Sequence, residues 1–318
     1  ACTPWIADVI VRDSAATGIR ASLTGSPAIR IERSEFLRCA GVSAGGGLHL
    51  VGGTGHRILD TDFRDCSGSS GGGALIDATT VEVRNCTFQD NSAAGGGGGL
   101  YFDVASGLVI DCTMTGNSAS SGGGVQLQVA SNTRMADCTI TGNSTAGGGG
   151  GLYVNGGIEV VIENCTVDMN TASGTGGGAY FSTTTPEVTG CSFSDNQSIN
   201  GEGGGAYLNI PNGTFSDNDV LGNASASNGG GLRLVSANGT LSNNRIDGNV
   251  AGTGRGGGAY VSGNTNAFSG GSISGNTAGS QGGGLDVTGA GVTVGTCRIA
   301  GNEALVRGGG LYWAGTGG

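Results

Sequence analysis

Side chains that commonly perform catalysis or bind metals are scarce in this chain. Its 318 residues include two histidines, His49 and His56, and 14 arginines but no lysine. Histidine-dependent catalysis, multi-histidine metal sites and lysine amine chemistry therefore have little basis. Nine cysteines are present, but no two have the Cys-x-x-Cys spacing of zinc and thioredoxin-type sites. The sequence predicts no catalytic residue, no metal site and no cofactor.

Carboxylates are the remaining groups that could carry chemistry, and they are densest near the amino terminus. Two carboxylates on neighbouring elements could cleave a polysaccharide by acid–base catalysis, with basic residues holding an acidic substrate. The cluster consists of Glu35, Asp60, Asp62, Asp65 and Asp90, with Arg33, Arg38, Arg64 and Arg84 interspersed. Because charges of both signs are mixed, a solvated charged face is the preferred interpretation. A carbohydrate-active enzyme is the alternative.

The overall charge limits the partners of the protein. The net charge is −10 and lysine is absent. Such a surface is a poor match for nucleic acid or for anionic lipid. No apolar stretch approaches the roughly 20 residues of a membrane-spanning helix. We therefore expect no nucleic-acid partner, and no membrane-embedded part in this segment.

An internal repeat sets the positions of the polar side chains. A Gly-Gly-Gly triplet recurs eleven times at intervals of 25–27 residues, from the triplet ending at Gly47 to the one ending at Gly310. A second motif recurs with the same period. It consists of an apolar residue followed three positions later by a polar one. That polar residue is asparagine in nine copies: Asn91, Asn117, Asn143, Asn170, Asn196, Asn223, Asn249, Asn276 and Asn302. The first two copies have Cys39 and Cys66 instead.

The repeat length and the local pattern together predict the fold. Units of about 26 residues are typical of leucine-rich repeats and β-helices, but no leucine framework is present. Three adjacent glycines would cost a helix about 3 kcal/mol. After each triplet, apolar residues alternate with a polar residue or tyrosine, as Leu152 and Val154 do around Tyr153, which indicates a strand with one buried face.

The sequence thus predicts an all-β protein, a single-stranded right-handed parallel β-helix (solenoid) of about 11–12 coils with three strands per coil. Residues 1–318 are expected to form one domain. Residues 1–33 would form an irregular or partial first coil, and residues 34–313 the regular repeats.

Stacked coils bring equivalent side chains together about 4.8 Å apart. The asparagines are expected to line a turn, with amides hydrogen-bonded from coil to coil. A cysteine ladder is predicted at another position: Cys86, Cys112, Cys138, Cys165 and Cys191, with Cys297 returning to that column. Buried thiols acting as small apolar fillers are the preferred interpretation. For Cys39 and Cys66 a disulfide stays open, because the rung spacing falls in the usual Cα–Cα range. Cys2 stands apart and has no assigned role.

All the tyrosines occupy one repeat position, in the strand after the triplet. They are Tyr101, Tyr153, Tyr180, Tyr207, Tyr260 and Tyr312. Strand alternation points them outward, and the presence of His49, Gln126, Arg233 and Asp286 at the same position in other coils favours exposure to solvent. This stripe is the candidate binding surface for a glycan or a surface protein. The alternative is that tyrosine merely suits an exposed strand.

The two repeat marks resemble those of a known family. Gly-Gly-Gly-[Leu/Ala] and Phe-x-x-Asn, the latter complete at Phe88–Asn91 and Phe193–Asn196, resemble the GGA[ILV] and FxxN repeats of the chlamydial polymorphic outer-membrane proteins (Pmp-type), and of right-handed parallel β-helix repeat proteins more widely. The resemblance covers about residues 34–313, with glycine where the family has alanine in the first motif. It implies a surface-exposed bacterial passenger domain, often an adhesin, commonly followed by a membrane-anchoring autotransporter barrel.

The function expected is therefore a non-enzymatic β-helix of the bacterial cell surface, associated with the outer membrane or secreted, acting as an adhesin or a structural stalk. A subunit of an extracellular filament or sheath is a further alternative. An open terminal coil needs a cover, so we expect a continuation of a longer chain, or docking of another chain end to end.

Overall fold

Every coil of the protein follows one path from one glycine triplet to the next. The computed structural model describes residues 4–25, 28–42, 44–128, 132–183, 185–235 and 238–315. In a middle coil, strands Leu152–Asn155 and Val161–Glu163 lie in sheet A, Thr166–Asp168 in sheet B, and Thr171–Ala172 in sheet C. The chain then returns through the next triplet and starts the following coil. Most coils therefore have four short strands rather than the three predicted.

The strands stack into three sheets. The strands of sheet A that follow the triplets are Ile19–Leu23, Leu48–Gly52, Ala74–Arg84, Leu100–Ile110, Val125–Gln128, Leu152–Asn155, Ala179–Ser182, Ala206–Asn209, Leu232–Leu234, Ala259–Val261, Leu285–Val287 and Leu311–Trp313. The second set in sheet A is Trp5–Ala7, Arg30–Glu32, His56–Leu59, Thr133–Ala136, Val161–Glu163, Glu187–Thr189, Thr214–Ser216, Thr240–Ser242, Ala267–Ser269 and Thr293–Gly295. Ala74–Arg84 and Leu100–Ile110 run through both sets without a break.

Sheets B and C carry the rest of each coil. Sheet B consists of Ile10–Arg12, Glu35–Leu37, Asp62–Arg64, Thr87–Gln89, Thr113–Thr115, Thr139–Thr141, Thr166–Asp168, Ser192–Ser194, Asp219–Leu221, Arg245–Asp247, Ser272–Ser274 and Arg298–Ala300. Sheet C consists of Ala40–Gly41, Ser67–Gly68, Ser92–Ala93, Ser118–Ala119, Ser144–Thr145, Thr171–Ala172, Gln197–Ser198, Ala224–Ser225, Val250–Ala251, Thr277–Ala278 and Glu303–Ala304.

All the strand pairs are parallel, and each strand is in register with its equivalent one coil away. Tyr153, for example, pairs with Tyr180, and Tyr180 with Tyr207. The described residues contain no α-helix, and no helix among them could span a membrane. The predicted all-β parallel solenoid is confirmed. The amino-terminal segment is more regular than predicted, since Trp5–Ala7, Ile10–Arg12 and Ile19–Leu23 already pair in register with the next coil.

The core is a thin apolar column enclosed by the three sheets. Inward positions of the strands are fully buried and repeat from coil to coil, for example Leu152, Ile162 and Val167. Phenylalanines stack within it, and the ring centroids of Phe36, Phe63 and Phe88 lie 4.8 Å apart in succession. Because each coil buries its residues against identical positions above and below, few aromatic residues suffice to fill this core.

The glycine triplets allow the coils to approach closely. In the triplet at residues 176–178, Gly176 has φ +68°, which favours glycine. A Cβ on Gly177 would lie 2.4 Å from the main-chain carbon of Gln197, and one on Gly178 would lie 2.8 Å from Cγ of Asn196. The third glycine thus makes room for the asparagine of the next coil.

Candidate functional site

The asparagine column is a continuous hydrogen-bonded ladder inside one turn. Asn143 shows the pattern: its main-chain N–H and its Nδ2 both donate to Oδ1 of Asn170, at 2.9 and 3.0 Å, and Nδ2 also donates to the carbonyl of Met114 at 3.0 Å. Its own Oδ1 accepts from the main-chain N–H and Nδ2 of Asn117, both at 2.9 Å. Each amide therefore satisfies both donors and acceptors in a place closed to water.

The cysteine column occupies the other turn and has weaker contacts of the same kind. Sγ of Cys138 lies 3.1 Å from the carbonyl oxygen of Ala136 and 3.5 Å from that of Val109. The main-chain N–H of Cys165 donates to Sγ of Cys191 at 3.4 Å. The ladder thiols Cys86, Cys112, Cys138, Cys165 and Cys191 are all buried. Hydrogen bonds with the neighbouring thiols, together with burial, raise the pKa of Cys138 well above its usual range.

The two turn columns exchange residue types. Asn218 and Asn244 continue the cysteine column, and the main-chain N–H of Cys191 donates to Oδ1 of Asn218 at 2.8 Å. In the asparagine column, the main-chain N–H of Cys66 donates to Oδ1 of Asn91 at 2.9 Å. Both turns thus accept either side chain, provided that it can contact a main-chain carbonyl of the preceding coil.

Cys39 and Cys66 are free thiols in the structure, one of the two interpretations that the sequence left open. Both are buried, and Sγ of Cys66 lies 3.3 Å from the carbonyl oxygen of Arg64. Burial raises the pKa of the Cys66 thiol to about 12. Cys2 lies outside the described residues.

The tyrosine column lies on the outer face of sheet A, opposite the apolar core. All six tyrosines, Tyr101, Tyr153, Tyr180, Tyr207, Tyr260 and Tyr312, are half-buried. The ring centroids of Tyr153 and Tyr180 are 4.8 Å apart, those of Tyr180 and Tyr207 5.1 Å apart, and the ring planes agree within 9°. The Arg233 guanidinium lies 4.3 Å from the ring centroid of Tyr260. At Tyr153, Tyr180, Tyr207 and Tyr260 a neighbouring ring or guanidinium group therefore covers at least one ring face.

A second column covers part of this face. The residue immediately before each triplet, for example Ser121, Glu202 or Gln281, lies beside the tyrosine column; we call these residues the rim column. Oγ of Ser121 donates to Oε1 of Gln126 at 2.8 Å, and Nε of Arg233 donates to Oε2 of Glu202 at 2.7 Å. Where the rim is Gly96, a Cβ would lie 1.7 Å from Oε1 of Gln126. The rim residues thus make contacts that depend on the side chain beside them.

The rim column overturns one expectation. The sequence predicted that charged and amide residues keep the tyrosine position exposed, but His49 is only 9% exposed, Gln126 6%, Arg233 8% and Asp286 0%. They point away from the core and are nevertheless covered. Nδ1 of His49 and both carboxylate oxygens of Asp286 are buried and have no hydrogen-bond partner among the described residues. Burial raises the pKa of Asp286 to about 6, although the nearby Arg255 lowers it.

Rim residues went unrecognised in the sequence because their types vary. The position holds alanine, glycine, serine, threonine, asparagine, glutamine, glutamate or arginine from coil to coil. Oε1 of Gln281 is also buried without a hydrogen-bond partner in the part of the chain that the structure describes. The signal that could have identified the position is its constant place before the triplet.

The amino-terminal carboxylates lie on an outer face in which the arginines are paired. Arg33 binds Asp8, Arg38 binds Asp13, and Arg64 binds Asp62, with N–O distances of 2.8, 2.6 and 2.8 Å. Arg84 contacts both Glu82 and Asp111. A shallow depression there is lined by Asp8, Arg33, Glu35, Asp60, Asp62 and Arg64. Asp65 and Asp90 lie in turns beyond it, with positive φ. All four arginines of the cluster are therefore paired with carboxylates, whereas Glu35, Asp60, Asp65 and Asp90 form no ion pair with the described residues.

The sequence was also compared with known proteins. Residues 3–167 and 148–299 match the family model described as "Right handed beta helix region". A search of curated proteins gave no match. A solved structure described as Geobacillus virus E2 ORF18 aligns with a TM-score of 0.45 and 12% identity, over 96% of this chain and 59% of that one. The chain thus spans less than two thirds of the length of that viral protein.

Proposed function

The chain belongs to the right-handed β-helix family, and from this premise we propose that it is a non-enzymatic binding rod displayed at the cell surface or secreted. The fold is compatible with a structural or surface protein. Membership in this family describes a scaffold, so the binding role has to be argued from its outer face. We assign that role to the tyrosine column, with a glycan or a surface protein as ligand.

The observation that carries this proposal is the stack of Tyr153, Tyr180 and Tyr207. Their hydroxyls repeat at the spacing of the coils, and none has a hydrogen-bond partner among the described residues. Phenols are protonated at neutral pH, and burial raises the pKa of Tyr153 and Tyr207 further, so these hydroxyls can donate as well as accept hydrogen bonds. A ligand would meet a row of hydroxyls rather than an open aromatic platform.

The neighbouring column completes a polar, uncharged surface. Asn155, Ser182 and Asn209 follow the three tyrosines by two residues, point to the same side of sheet A, and pair in register. Hydroxyls and amides can match the hydroxyl groups of a sugar or the polar groups of a protein main chain. Because charge is absent from both rows, we expect neutral glycans or polar protein segments to be preferred.

The test separates the hydroxyls from the stack. The variant Tyr153→Phe/Tyr180→Phe/Tyr207→Phe keeps the rings, whereas a triple change to Ser removes both rings and phenol groups. Binding to an array of defined neutral and acidic oligosaccharides and to intact cells is measured beside the melting temperature. Loss of binding in the Phe variant at unchanged melting temperature supports the proposal. Unchanged binding in the Ser variant would refute it and leave the stack a purely structural feature.

A further inference from the structure

The five-rung cysteine ladder has a regularity that packing alone does not require. Each ladder sulfur has the same surroundings: Sγ of Cys86, Cys112, Cys138, Cys165 and Cys191 contacts the carbonyl oxygen two residues earlier and a carbonyl oxygen of the preceding coil, so the sulfurs occupy equivalent places from rung to rung. The same turn position accepts Asn218 and Asn244 in the following coils. Five consecutive thiols thus form a file of soft donor atoms in a column that tolerates other residues.

The spacing of this file fits a specific kind of ligand. Neighbouring rungs are about 4.8 Å apart, which is close to twice a metal–thiolate bond of about 2.3 Å. A metal ion midway between two sulfurs would have two ligands in a line. Soft thiolate ligands select Cu(I) among the biological metals. We propose that the ladder binds thiophilic monovalent d10 cations, Cu(I) or its analogue Ag(I), with each ion held between the sulfurs of neighbouring coils.

Linear coordination also agrees with what surrounds the sulfurs. The described residues contain no group of three or more His, Cys, Asp or Glu side chains that could enclose one ion, so a tetrahedral zinc site has no ligand set here. The other atoms near Sγ of Cys138 are the carbonyl oxygens of Ala136 and Val109, at 3.1 and 3.5 Å. These are hard ligands, which suit soft cations poorly. Two sulfurs are therefore the whole coordination sphere.

The charge balance suits a buried column. A monovalent cation that replaces one thiol proton leaves a thiolate, the cation and a neutral thiol, and this unit has no net charge. The released proton passes to solvent. A divalent cation between one thiolate and one thiol would leave a buried positive charge, which is costly in apolar surroundings. The ladder should thus prefer monovalent soft ions.

The ions also have an approach to the turn. The residues directly before the ladder thiols, Asn85, Asp111, Asp137 and Asn164, are exposed and have positive φ of 52–55°. Asp111, which also pairs with Arg84, and Asp137 directly precede two of the ladder thiols, on a chain with a net charge of −10. Such a surface raises the local concentration of cations. A small ion needs only a local opening of this turn to reach the sulfurs.

The experiment changes thiol adjacency at a constant number of thiols. The reference protein carries Ser in place of Cys2, Cys39, Cys66 and Cys297, so that only the ladder remains. In this background Cys112→Ser/Cys165→Ser leaves three thiols with no neighbours, whereas Cys86→Ser/Cys191→Ser leaves three in a row. Each protein is titrated anaerobically with Cu(I), and separately with Ag(I), against a competing chelator. Native mass spectrometry then counts the retained ions, and circular dichroism checks the fold.

We expect the reference protein and the variant with three adjacent thiols to retain at least one ion, with one proton released per ion. The variant with isolated thiols should lose at least tenfold in affinity. Equal retention by both variants, or no retention by the reference protein, would overturn the proposal. X-ray absorption of the copper-loaded reference protein gives the number and type of copper ligands without a further variant. Two sulfur neighbours agree with the proposal, and three or more, or oxygen neighbours, contradict it.

Discussion

The asparagine column and the tyrosine column both run along the rod with one residue per coil, yet they differ in how their polar atoms are satisfied. In the asparagine column, the amide of a residue such as Asn143 is paired on both sides. In the tyrosine column, Arg233 donates a hydrogen bond to Glu202, but the carboxylate of Asp286 has no hydrogen-bond partner among the described residues. The first column has asparagine at nine of its eleven positions, and the other is mixed.

This difference follows from the repeat itself. When identical residues stack, a donor on one coil meets the matching acceptor on the next, so the same hydrogen-bond arrangement repeats in every coil. In a mixed column each rung needs its own partner from the rim column, and some rungs lack one. Positions where the fold does not dictate the residue are those where function can be selected, which is why we look for binding on the tyrosine side.

The largest effect is expected from breaking the uniform ladder. Asn143→Leu would leave the main-chain N–H of Asn117 and the carbonyl of Met114 without this partner. It would also remove one of the two hydrogen bonds that Nδ2 of Asn117 donates and one of the two that Oδ1 of Asn170 accepts from residue 143. Each buried group left unpaired costs about 1–3 kcal/mol, so a loss of about 4 kcal/mol is expected after some relaxation. Chemical denaturation measures it. Asn155→Leu, on the outer face, is the control and should cost less than about 0.5 kcal/mol.

Equal losses from the two leucine variants would show that the asparagine ladder adds nothing beyond side-chain volume. The hydrogen bonds of the asparagine column would then contribute no more to stability than the outer face does.

The next largest effect is expected from removing the unpaired carboxylate of Asp286 in the mixed column. Burial raises the pKa of Asp286 from 3.8 to about 6 in the folded protein. The raised value favours the protonated form, so this carboxyl lowers stability as pH rises from about 4 to about 6, and the cost is complete above that range. A shift of about two units corresponds to about 3 kcal/mol. Asp286→Asn should therefore be the more stable protein at pH 7, by up to that amount, and similar to wild type at pH 4.

Thermal and denaturant unfolding of both proteins across this pH range measure the difference. Asp111→Asn, which removes an exposed carboxylate, is the control. A stability difference between wild type and Asp286→Asn that stays constant from pH 4 to pH 7 would contradict the burial argument.

The uniform features of the molecule could be predicted from the sequence, and the mixed ones could not. The triplets, the asparagines and the alternation around Tyr153 recur in every coil or nearly so, and a recurring pattern in a stacked fold specifies both the strand and its facing. The short strands of sheet C, such as Thr171–Ala172, were missed because two residues are too few to show alternation. The continuous strand Ala74–Arg84 was also not separable from its shorter equivalents.

The cover over the tyrosine column was missed for a different reason. Glu202, Gln281 and Gly96 occupy one structural position, but no size, charge or polarity is common to all three. Their contacts depend on side-chain conformations chosen against a particular neighbour, and no periodic signal records that choice. The sequence could therefore place Arg233 and Asp286 on the outer face but could not show that they are buried.

A smaller effect is expected from the pair that Arg233 of the mixed column forms with Glu202. Glu202→Ala would leave the buried Arg233 with the carbonyl of Leu234 and the Tyr260 ring as its remaining contacts. A hydrogen bond to a charged group contributes about 1.5–3 kcal/mol, so a loss of about 2 kcal/mol is expected by denaturant unfolding. Glu202→Gln keeps the acceptor and should lose about half as much. If Ala and Gln have the same effect, the charge rather than the hydrogen bond holds Arg233.

The smallest effect is expected where the two turn columns exchange residues. Cys191 directly precedes Asn218 in its column, and its main-chain N–H already donates to Oδ1 of Asn218. In Cys191→Asn, the new Oδ1 would accept from the main-chain N–H of Cys165, which now contacts Sγ, and the new Nδ2 would reach the carbonyl of Ile162. Because a strong hydrogen bond replaces a weak one at similar volume, the change in unfolding free energy should stay within about 1 kcal/mol. Cys191→Leu is the matched control, since it fills the site but leaves the same groups unpaired, and it should cost at least about 2 kcal/mol. A large loss in the Asn variant would mean that the thiol turn has a geometry of its own, and that the two columns are not interchangeable.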